Sequence, residues 1–123
     1  DDVGTVLNPL MLKGQIQGGV AHGIGQALTE EVVFEPGSGQ LVTGSFMDYA
    51  MPRADNMSYI DVASNPVPTE TNPLGCKGAG EAGTVGAVPA VMNAVVDALS
   101  ALGIRHVDMP ATPERIWRAI REA

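Results

Sequence analysis

Residues 14–31 combine a helical pattern of apolar residues with five glycines, and this combination strongly restricts the fold. The apolar side chains repeat every 3.6 residues on one side of the predicted helix, at Ile16, Val20, Ile24, Ala27 and Leu28. Glycine occupies the positions Gly14, Gly18, Gly19, Gly23 and Gly25. Each glycine costs about 0.8–1 kcal/mol relative to alanine inside a helix, so the total penalty is several kcal/mol. A helix that accepts this penalty must use its glycines for packing or binding.

Three of these glycines align on the predicted helix. At 100° per residue, Gly14, Gly18 and Gly25 form a narrow bare strip. Polar side chains lie beside it, at Gln15, His22, Gln26 and Thr29. In one interpretation another backbone packs closely into the strip. In the other, the strip and the amides form a wall against a flat polar cofactor, and the pattern alone leaves both open.

The second unusual segment is the glycine-rich stretch LGCKGAGEAGT at residues 74–84, which contains one acid, Glu81. Its glycines permit positive φ and remove Cβ bulk, so backbone N–H groups can approach a ligand closely. A lone carboxylate in such a loop is a candidate general base. The alternative is a tight surface turn with a solvated Glu81. A nucleotide-phosphate loop is disfavoured, because the Gly-Lys-Ser/Thr ending of that motif is missing.

The remaining chain predicts short strands and two more helices. Residues 31–45 read as a hairpin turned by proline and glycine, and residues 59–63 and 104–108 as short strands. Residues 46–58 are irregular, and the proline-containing residues 64–73 form an extended connector. This order of mixed helices and short strands predicts a single α+β domain over residues 1–123.

Both later helices carry terminal signals. The first has Pro89 near its first turn and Gly103 just past its end. Its predicted buried side consists of Val91, Val95, Ala98, Leu99 and Leu102. Thr112 is the predicted N-cap of the last helix, which begins at Pro113. Its predicted inward side consists of Ile116, Trp117 and Ile120.

Composition excludes several classes of protein. The formal net charge is −7 and no cluster of Lys or Arg is present, so nucleic-acid binding is excluded. The single cysteine, Cys76, cannot form an internal disulfide, and no CxxC pair is present for zinc or an iron–sulfur cluster. We expect Cys76 to be a small packing residue and the compartment to be the cytoplasm. We also predict no membrane span, since no apolar run reaches about 20 residues.

Two motifs together carry a family resemblance. Asn8–Leu10 with Lys13–Glu31, followed by NPLGCKGAGEAGT at residues 72–84, resemble the C-terminal part of molybdenum hydroxylase large subunits. That family comprises xanthine dehydrogenase, aldehyde oxidase and aerobic carbon monoxide dehydrogenase. The resemblance covers nearly all of residues 1–123. Because family subunits are several times longer, the resemblance implies that this chain is a C-terminal subdomain of the molybdopterin-binding domain. The opening residues DDVG are predicted to be the end of a strand.

The resemblance also implies roles for particular residues. Glu81 matches the family's catalytic base, which acts when oxygen from water is inserted into a C–H bond or carbon monoxide is oxidised. Gln15 matches the glutamine whose amide contacts the molybdenum end of the cofactor, although a solvated glutamine is the alternative. The loop around the pterin end corresponds to Lys77, Gly78, Ala79 and Gly80. Lys77 could equally be a solvated cation, and His22 departs from the family's usual glutamine and is left out of the site. No residue of the chain is predicted to ligate a metal.

Cofactors and partners follow from the same resemblance. The cofactor is molybdenum–molybdopterin, for which bacterial carbon monoxide dehydrogenase-like members commonly use a cytosine dinucleotide form. Iron–sulfur clusters and FAD belong to other domains or subunits of an oligomer that includes the rest of the large subunit. We expect the isolated chain to be inactive and to retain no cofactor. The alternative function is a non-catalytic scaffold that docks a partner through the glycine strip. The substrate (a purine, aldehyde, N-heterocycle or carbon monoxide) is not determined by this segment.

Overall fold

The computed structural model describes residues 2–123 and contains three α-helices joined by long irregular segments. Helix α1 spans Pro9–Leu28, α2 spans Thr84–Leu99 and α3 spans Pro113–Glu122. Short 3-10 helices occur at Ala54–Asn56 and Ser100–Leu102. Asp1 lies outside the described residues. It belongs to the predicted strand end at residues 1–4 and to the predicted domain over residues 1–123.

Helix α1 is longer than the periodicity predicts. It begins at Pro9 because Asn8 caps it: the Asn8 side chain accepts a hydrogen bond from the Met11 N–H at 3.1 Å. Proline suits the first helical position because its missing N–H would have no partner there. The helix then runs through all five glycines predicted for it and ends at Leu28.

Helix α2 corrects two predictions. It begins at Thr84, the last residue assigned to the glycine-rich loop, and Pro89 therefore lies in its interior rather than its first turn. The start is earlier because Gly83 and Thr84 pack directly against α1. The end is as predicted: Gly103 adopts φ +81° immediately after the 3-10 turn.

The α2 region also bears on the predicted absence of a membrane span. Residues Thr84–Leu102 form a 19-residue helical stretch with mean hydropathy 1.6, long and apolar enough to cross a bilayer by these two measures. This stretch was not predicted from the sequence. A single such helix is weak evidence, because core helices of soluble proteins pass the same test. The absence of a membrane span stays a prediction.

The strands of the predicted α+β class do not form. Within residues 2–123, β pairing is limited to two isolated antiparallel bridges, Gly4 with Cys76 and Phe34 with Leu41. The second bridge keeps the chain reversal of the predicted hairpin at residues 31–45, with hydrogen bonds at 2.8 Å from the Val42 N–H to the Val33 carbonyl and from the Glu35 N–H to the Gln40 carbonyl, but no strand extends from it. Residues 59–63 and 104–108 lack a strand partner, and the Ile60 carbonyl instead accepts a hydrogen bond from the Gln17 side chain at 2.8 Å. A strand needs the backbone groups of a neighbour, and the described residues supply none there.

The small core lies where α1, α2 and α3 converge. Leu99, Val107 and Ala111 are buried. Partly buried residues complete the cluster, namely Leu28, Met92, Val95, Ile104, Ile116 and Ala119. Ile116 therefore packs inward as predicted, whereas Trp117 and Ile120 are 59% and 43% exposed. Ala98 and Leu102, predicted as buried, are also exposed because the described chain places nothing over that side of α2.

The chain buries little of its apolar surface. It exposes 8616 Å², whereas a compact monomer of 12.7 kDa exposes about 6,200 Å². Large hydrophobic side chains contribute to this excess, including Leu10, Phe46 and Met47 at 82%, 84% and 93% exposure. Apolar surface on this scale is typical of a segment that packs against further protein.

Candidate functional site

Helices α1 and α2 cross closely because glycines occupy the contact. A Cβ at Gly19 would lie 2.9 Å from the Thr84 nitrogen, and one at Gly23 would overlap the Ala87 Cβ. From the other helix, a Cβ at Gly83 would overlap the Ile16 carbonyl oxygen. The Thr84 hydroxyl also donates to the Gly19 carbonyl at 3.3 Å. This crossing fixes the end of the glycine-rich loop against the middle of α1.

The beginning of the loop is held by the N-terminal segment. The Lys77 N–H donates to the Val3 carbonyl and the Thr5 N–H donates to the Gly75 carbonyl, both at 2.9 Å. Between these bonds, Gly4 adopts φ +65°, and a Cβ there would overlap the Gly75 carbonyl oxygen. Glycine is therefore required at position 4 by conformation and by space.

Gln15 joins α1 to the glycine-rich loop. Its Nε2 donates a hydrogen bond to the Gly80 carbonyl oxygen at 2.7 Å. The structure thus brings together two residues that the sequence analysis predicted for one site but that lie far apart in the chain. Gln15, Lys77, Ala79 and Gly80 line one groove of about 400 Å³, whose other walls are mainly apolar.

Glu81 does not line that groove. It lines a second groove of about 450 Å³, and Gly80 borders both. The Glu81 carbonyl accepts hydrogen bonds from the N–H groups of Thr84 and Val85 at 3.0 and 3.1 Å, so this residue leads directly into α2. The residue is exposed, and no side chain among residues 2–123 bonds to its carboxylate. The carboxylate is thus available to a group that enters the groove.

Lys77 has a partner that the sequence analysis missed. Its ammonium forms an ion pair with the Asp2 carboxylate, so it is not simply a solvated cation. The pKa of Asp2 is lowered to about 2. The largest cause is the hydrogen bond from Lys77, and the hydrogen bonds from the backbone N–H groups of Val67 and Gly4 contribute less. The sequence signal for this ion pair is the positive charge of Lys77, which needs a nearby acid as its counterion.

Four glycines around the Gln15–Gly80 contact have no explanation within residues 2–123. Apart from chain neighbours and the local helix backbone, no atom lies within 4 Å of a Cβ built at Gly14, Gly18, Gly78 or Gly80, and none of the four has positive φ. Neither packing nor conformation within the described chain therefore requires glycine. The predicted bare strip is confirmed as open at Gly14 and Gly18, but Gly25 is covered by Pro52 and Glu30. The close helix packing falls instead on Gly19 and Gly23.

These features fit a large, flat, polar group brought against the chain from outside. Bare backbone at the four open glycines permits close approach, and the Gln15 amide supplies a hydrogen-bonding group without charge. In the part of the chain that the structure describes, no group of three His, Cys, Asp or Glu residues could hold a metal ion. His22 is exposed, with its Nε2 3.4 Å from that of Gln26, and it does not join the Gln15–Gly80 contact.

Comparison with known proteins identifies a match to a family model. The model describes a molybdopterin cofactor-binding domain, and it matches residues 1–58. This range contains the N-terminal segment and α1 with Gln15 but ends before the glycine-rich loop.

Similarity to individual proteins extends through both segments. The chain is 36% identical over 122 residues to the carbon monoxide dehydrogenase large chain of Hydrogenophaga pseudoflava, covering 99% of this chain and 15% of that one. It is 40% identical over 121 residues to the nicotine 6-hydroxylase large subunit of Paenarthrobacter nicotinovorans, covering 98% and 15%. Its fold matches that of quinoline 2-oxidoreductase from Pseudomonas putida 86 with a TM-score of 0.91 and 44% identity, covering 98% and 15%. The chain thus spans about 15% of the length of these relatives.

Proposed function

We propose that this chain, a member of the molybdenum hydroxylase family, is part of the family's molybdopterin cofactor-binding domain, forms one wall of the cofactor site and supplies the catalytic base, Glu81. In this proposal the enzyme is an oxidoreductase of which the chain is one part. When bound, the molybdenum–molybdopterin cofactor supplies the chemistry that inserts water-derived oxygen into a C–H bond or oxidises carbon monoxide.

The observation that carries the proposal is the set of open glycines around the Gln15–Gly80 hydrogen bond. Gly14 and Gly18 lower the stability of α1, and none of the four glycines makes a packing contact within the described chain that requires glycine. A bound group that needs bare backbone would explain all four positions together. Because the residues on this surface are glycines and an uncharged amide, the surface fits a large polar cofactor better than a free metal ion.

Each residue of the proposed site has a distinct task. Gln15 donates one N–H to the Gly80 carbonyl, which fixes the orientation of the amide. Its second N–H is left to bind the cofactor. Gly78, Ala79 and Gly80 offer backbone to the pterin end, whereas Lys77 contributes backbone only, because its ammonium pairs with Asp2. Glu81 accepts a proton on its carboxylate during the reaction.

The substrate and the assembly are also proposed from the relatives. Those named above act on nicotine, quinoline or carbon monoxide, according to their names. We propose that the intact protein acts on a small N-heterocycle or on carbon monoxide, in the cytoplasm, with the cytosine dinucleotide form of the cofactor. The exposed apolar surface would pack against the rest of the large subunit, in an oligomer with iron–sulfur and FAD subunits or domains.

A scaffold without catalysis is the second candidate, and the same exposed surface favours it. The two functions differ in what Glu81 does, so one substitution separates them. Glu81→Gln in the intact enzyme keeps size and hydrogen bonding but removes the base. We expect turnover to fall about 10²- to 10⁴-fold, with the molybdenum content unchanged.

The matched control is Glu70→Gln, which makes the same chemical change at an exposed position of the connector before the loop. It should retain wild-type turnover. Unchanged turnover in Glu81→Gln, measured with full molybdenum content, would remove Glu81 from the mechanism and favour the scaffold.

A further inference from the structure

The Asp2 carboxylate links three segments around the Glu81 groove. Its Oδ1 accepts hydrogen bonds from the Gly4 N–H at 2.9 Å and from the Val67 N–H at 3.0 Å. Its Oδ2 forms the ion pair with Lys77. The N-terminal segment, the connector and the glycine-rich loop therefore meet at one side chain. This carboxylate is about one-third exposed, as is the Lys77 side chain.

The same carboxylate shares a groove with the proposed base. Asp2 and Glu81 line one groove, whose other walls are Gly78, Gly80, Ala82 and Val85. Within residues 2–123, the charged groups at this groove are thus the two carboxylates and, through its ion pair, the Lys77 ammonium. Val85 from α2 and Val67 from the connector are uncharged, as is Gln15 from α1. The charge around Glu81 is therefore set by the balance between Asp2 and Lys77.

This balance affects how readily Glu81 takes up a proton. A nearby cation favours the ionised carboxylate, and a nearby anion disfavours it. An unpaired Lys77 would stabilise the ionised form of a neighbouring carboxylate and weaken it as a base, whereas an unpaired Asp2 would do the opposite. The ion pair places both charges together, so the pair carries no net charge.

We propose that Asp2 is a positioning residue that holds the Lys77 ammonium in an ion pair, so that the pair leaves no net charge beside Glu81. The inference rests on the proposed role of Glu81. It explains why a loop that carries a base can also carry a lysine only four positions earlier in the sequence. It also assigns the N-terminal segment a task in catalysis, although that segment contributes no reacting group.

The test is a charge-balance experiment on the intact enzyme. Asp2→Asn keeps an oxygen to accept from Gly4 and Val67 but turns a donor towards Lys77, which leaves a net positive charge. Lys77→Met removes the cation and leaves the Asp2 charge. In the pH profile of kcat/KM, the acid limb should shift down in Asp2→Asn and up in Lys77→Met, each by about 0.3 to 1 pH unit. The double variant should return the limb towards its wild-type position.

A purely structural role for Asp2 would not produce opposite shifts. Shifts in the same direction, or no shift in either variant, would overturn the inference. The control Asp55→Asn removes a carboxylate from the exposed Arg53–Asp55 pair and should leave the profile unchanged. If Glu81→Gln also left turnover intact, the proposed function itself would fail, so the two failures are distinguishable.

A second readout does not depend on activity. The chain contains two lysines, Lys13 and Lys77, so amine-reactive labelling followed by mass spectrometry gives an internal ratio. Asp2→Asn should increase labelling of Lys77 several-fold relative to Lys13, because the released ammonium is no longer masked. An unchanged ratio would show that Asp2 does not hold Lys77 in the intact enzyme, and the inference would be wrong.

Discussion

Two glycine-rich surfaces of this chain serve opposite purposes. At the crossing of α1 and α2, Gly19, Gly23 and Gly83 leave no room for a Cβ, because the neighbouring helix fills the space. Around the Gln15–Gly80 hydrogen bond, the four open glycines have nothing within 4 Å of their Cβ positions. Both surfaces use α1, on which the open Gly14 and Gly18 precede the packed Gly19 and Gly23.

The difference separates internal packing from binding. The glycines in contact are explained by their neighbours, whereas the four around the Gln15–Gly80 contact have no such neighbour in the described chain. The surface at the crossing holds α1 and α2 together, and we propose that the surface around the Gln15–Gly80 hydrogen bond contacts the cofactor. Substitutions that add one methyl group should therefore have opposite consequences on the two surfaces.

The largest effect on folding is expected at the crossing. Gly23→Ala forces a methyl group against the Ala87 Cβ, which should destabilise the intact protein by about 1–3 kcal/mol and lower its thermal unfolding midpoint. The swap Gly23→Ala with Ala87→Gly restores the volume and should recover much of the midpoint. A single variant as stable as wild type would show that the helices do not pack as closely as described.

A smaller effect is expected where α1 holds the loop. Gln15→Ala removes the hydrogen bond to the Gly80 carbonyl, worth about 0.5–1.5 kcal/mol, and should speed hydrogen exchange in residues 78–82. Gln17→Ala is the matched control, because Gln17 makes an equivalent bond to the Ile60 carbonyl. Faster exchange of the loop in both variants, or in neither, would contradict the specific role of Gln15.

The smallest effect concerns pH. The pKa of Asp2 is lowered to about 2 from a usual value of 3.8, so its contribution to stability is fully present above about pH 4 and is lost as the pH falls through about 2. Protection of residues 2–5 and 66–69 from hydrogen exchange, corrected for intrinsic rates, should thus stay constant from pH 7 to 4. Loss of protection already at pH 5 would show that Asp2 is not held as described. The α1–α2 crossing has no ionisable contact and should show no such dependence.

The sequence predicted the helices better than the strands. Local signals decide helix ends, and Thr112 with Pro113 began α3 as expected. The last helix nevertheless exposes Trp117, because its amphipathic pattern does not reveal that the core offers room only for Ile116 and Ala119. The predicted strands failed for a related reason, since a strand depends on a partner that its own sequence does not specify.

The candidate site was predicted unevenly. The sequence motifs placed Gln15 and the glycine-rich loop in one site, and the structure joins them through the Gly80 carbonyl. The helical wheel placed Gly25 in the bare strip, because the periodicity of α1 does not contain the residues that cover it, Pro52 and Glu30. Asp2 was missed because its importance comes from three contacts made by distant segments.

In our proposal the open glycines are bare because a cofactor lies against them. The molybdenum-to-protein ratio of the intact enzyme carrying Gly18→Ala together with Gly80→Ala, measured by elemental analysis, tests this directly. Gly44→Ala, at a glycine with only ordinary contacts, is the control. We predict a several-fold loss of molybdenum with the circular dichroism spectrum and soluble yield unchanged. Full molybdenum content in the double variant would contradict the account.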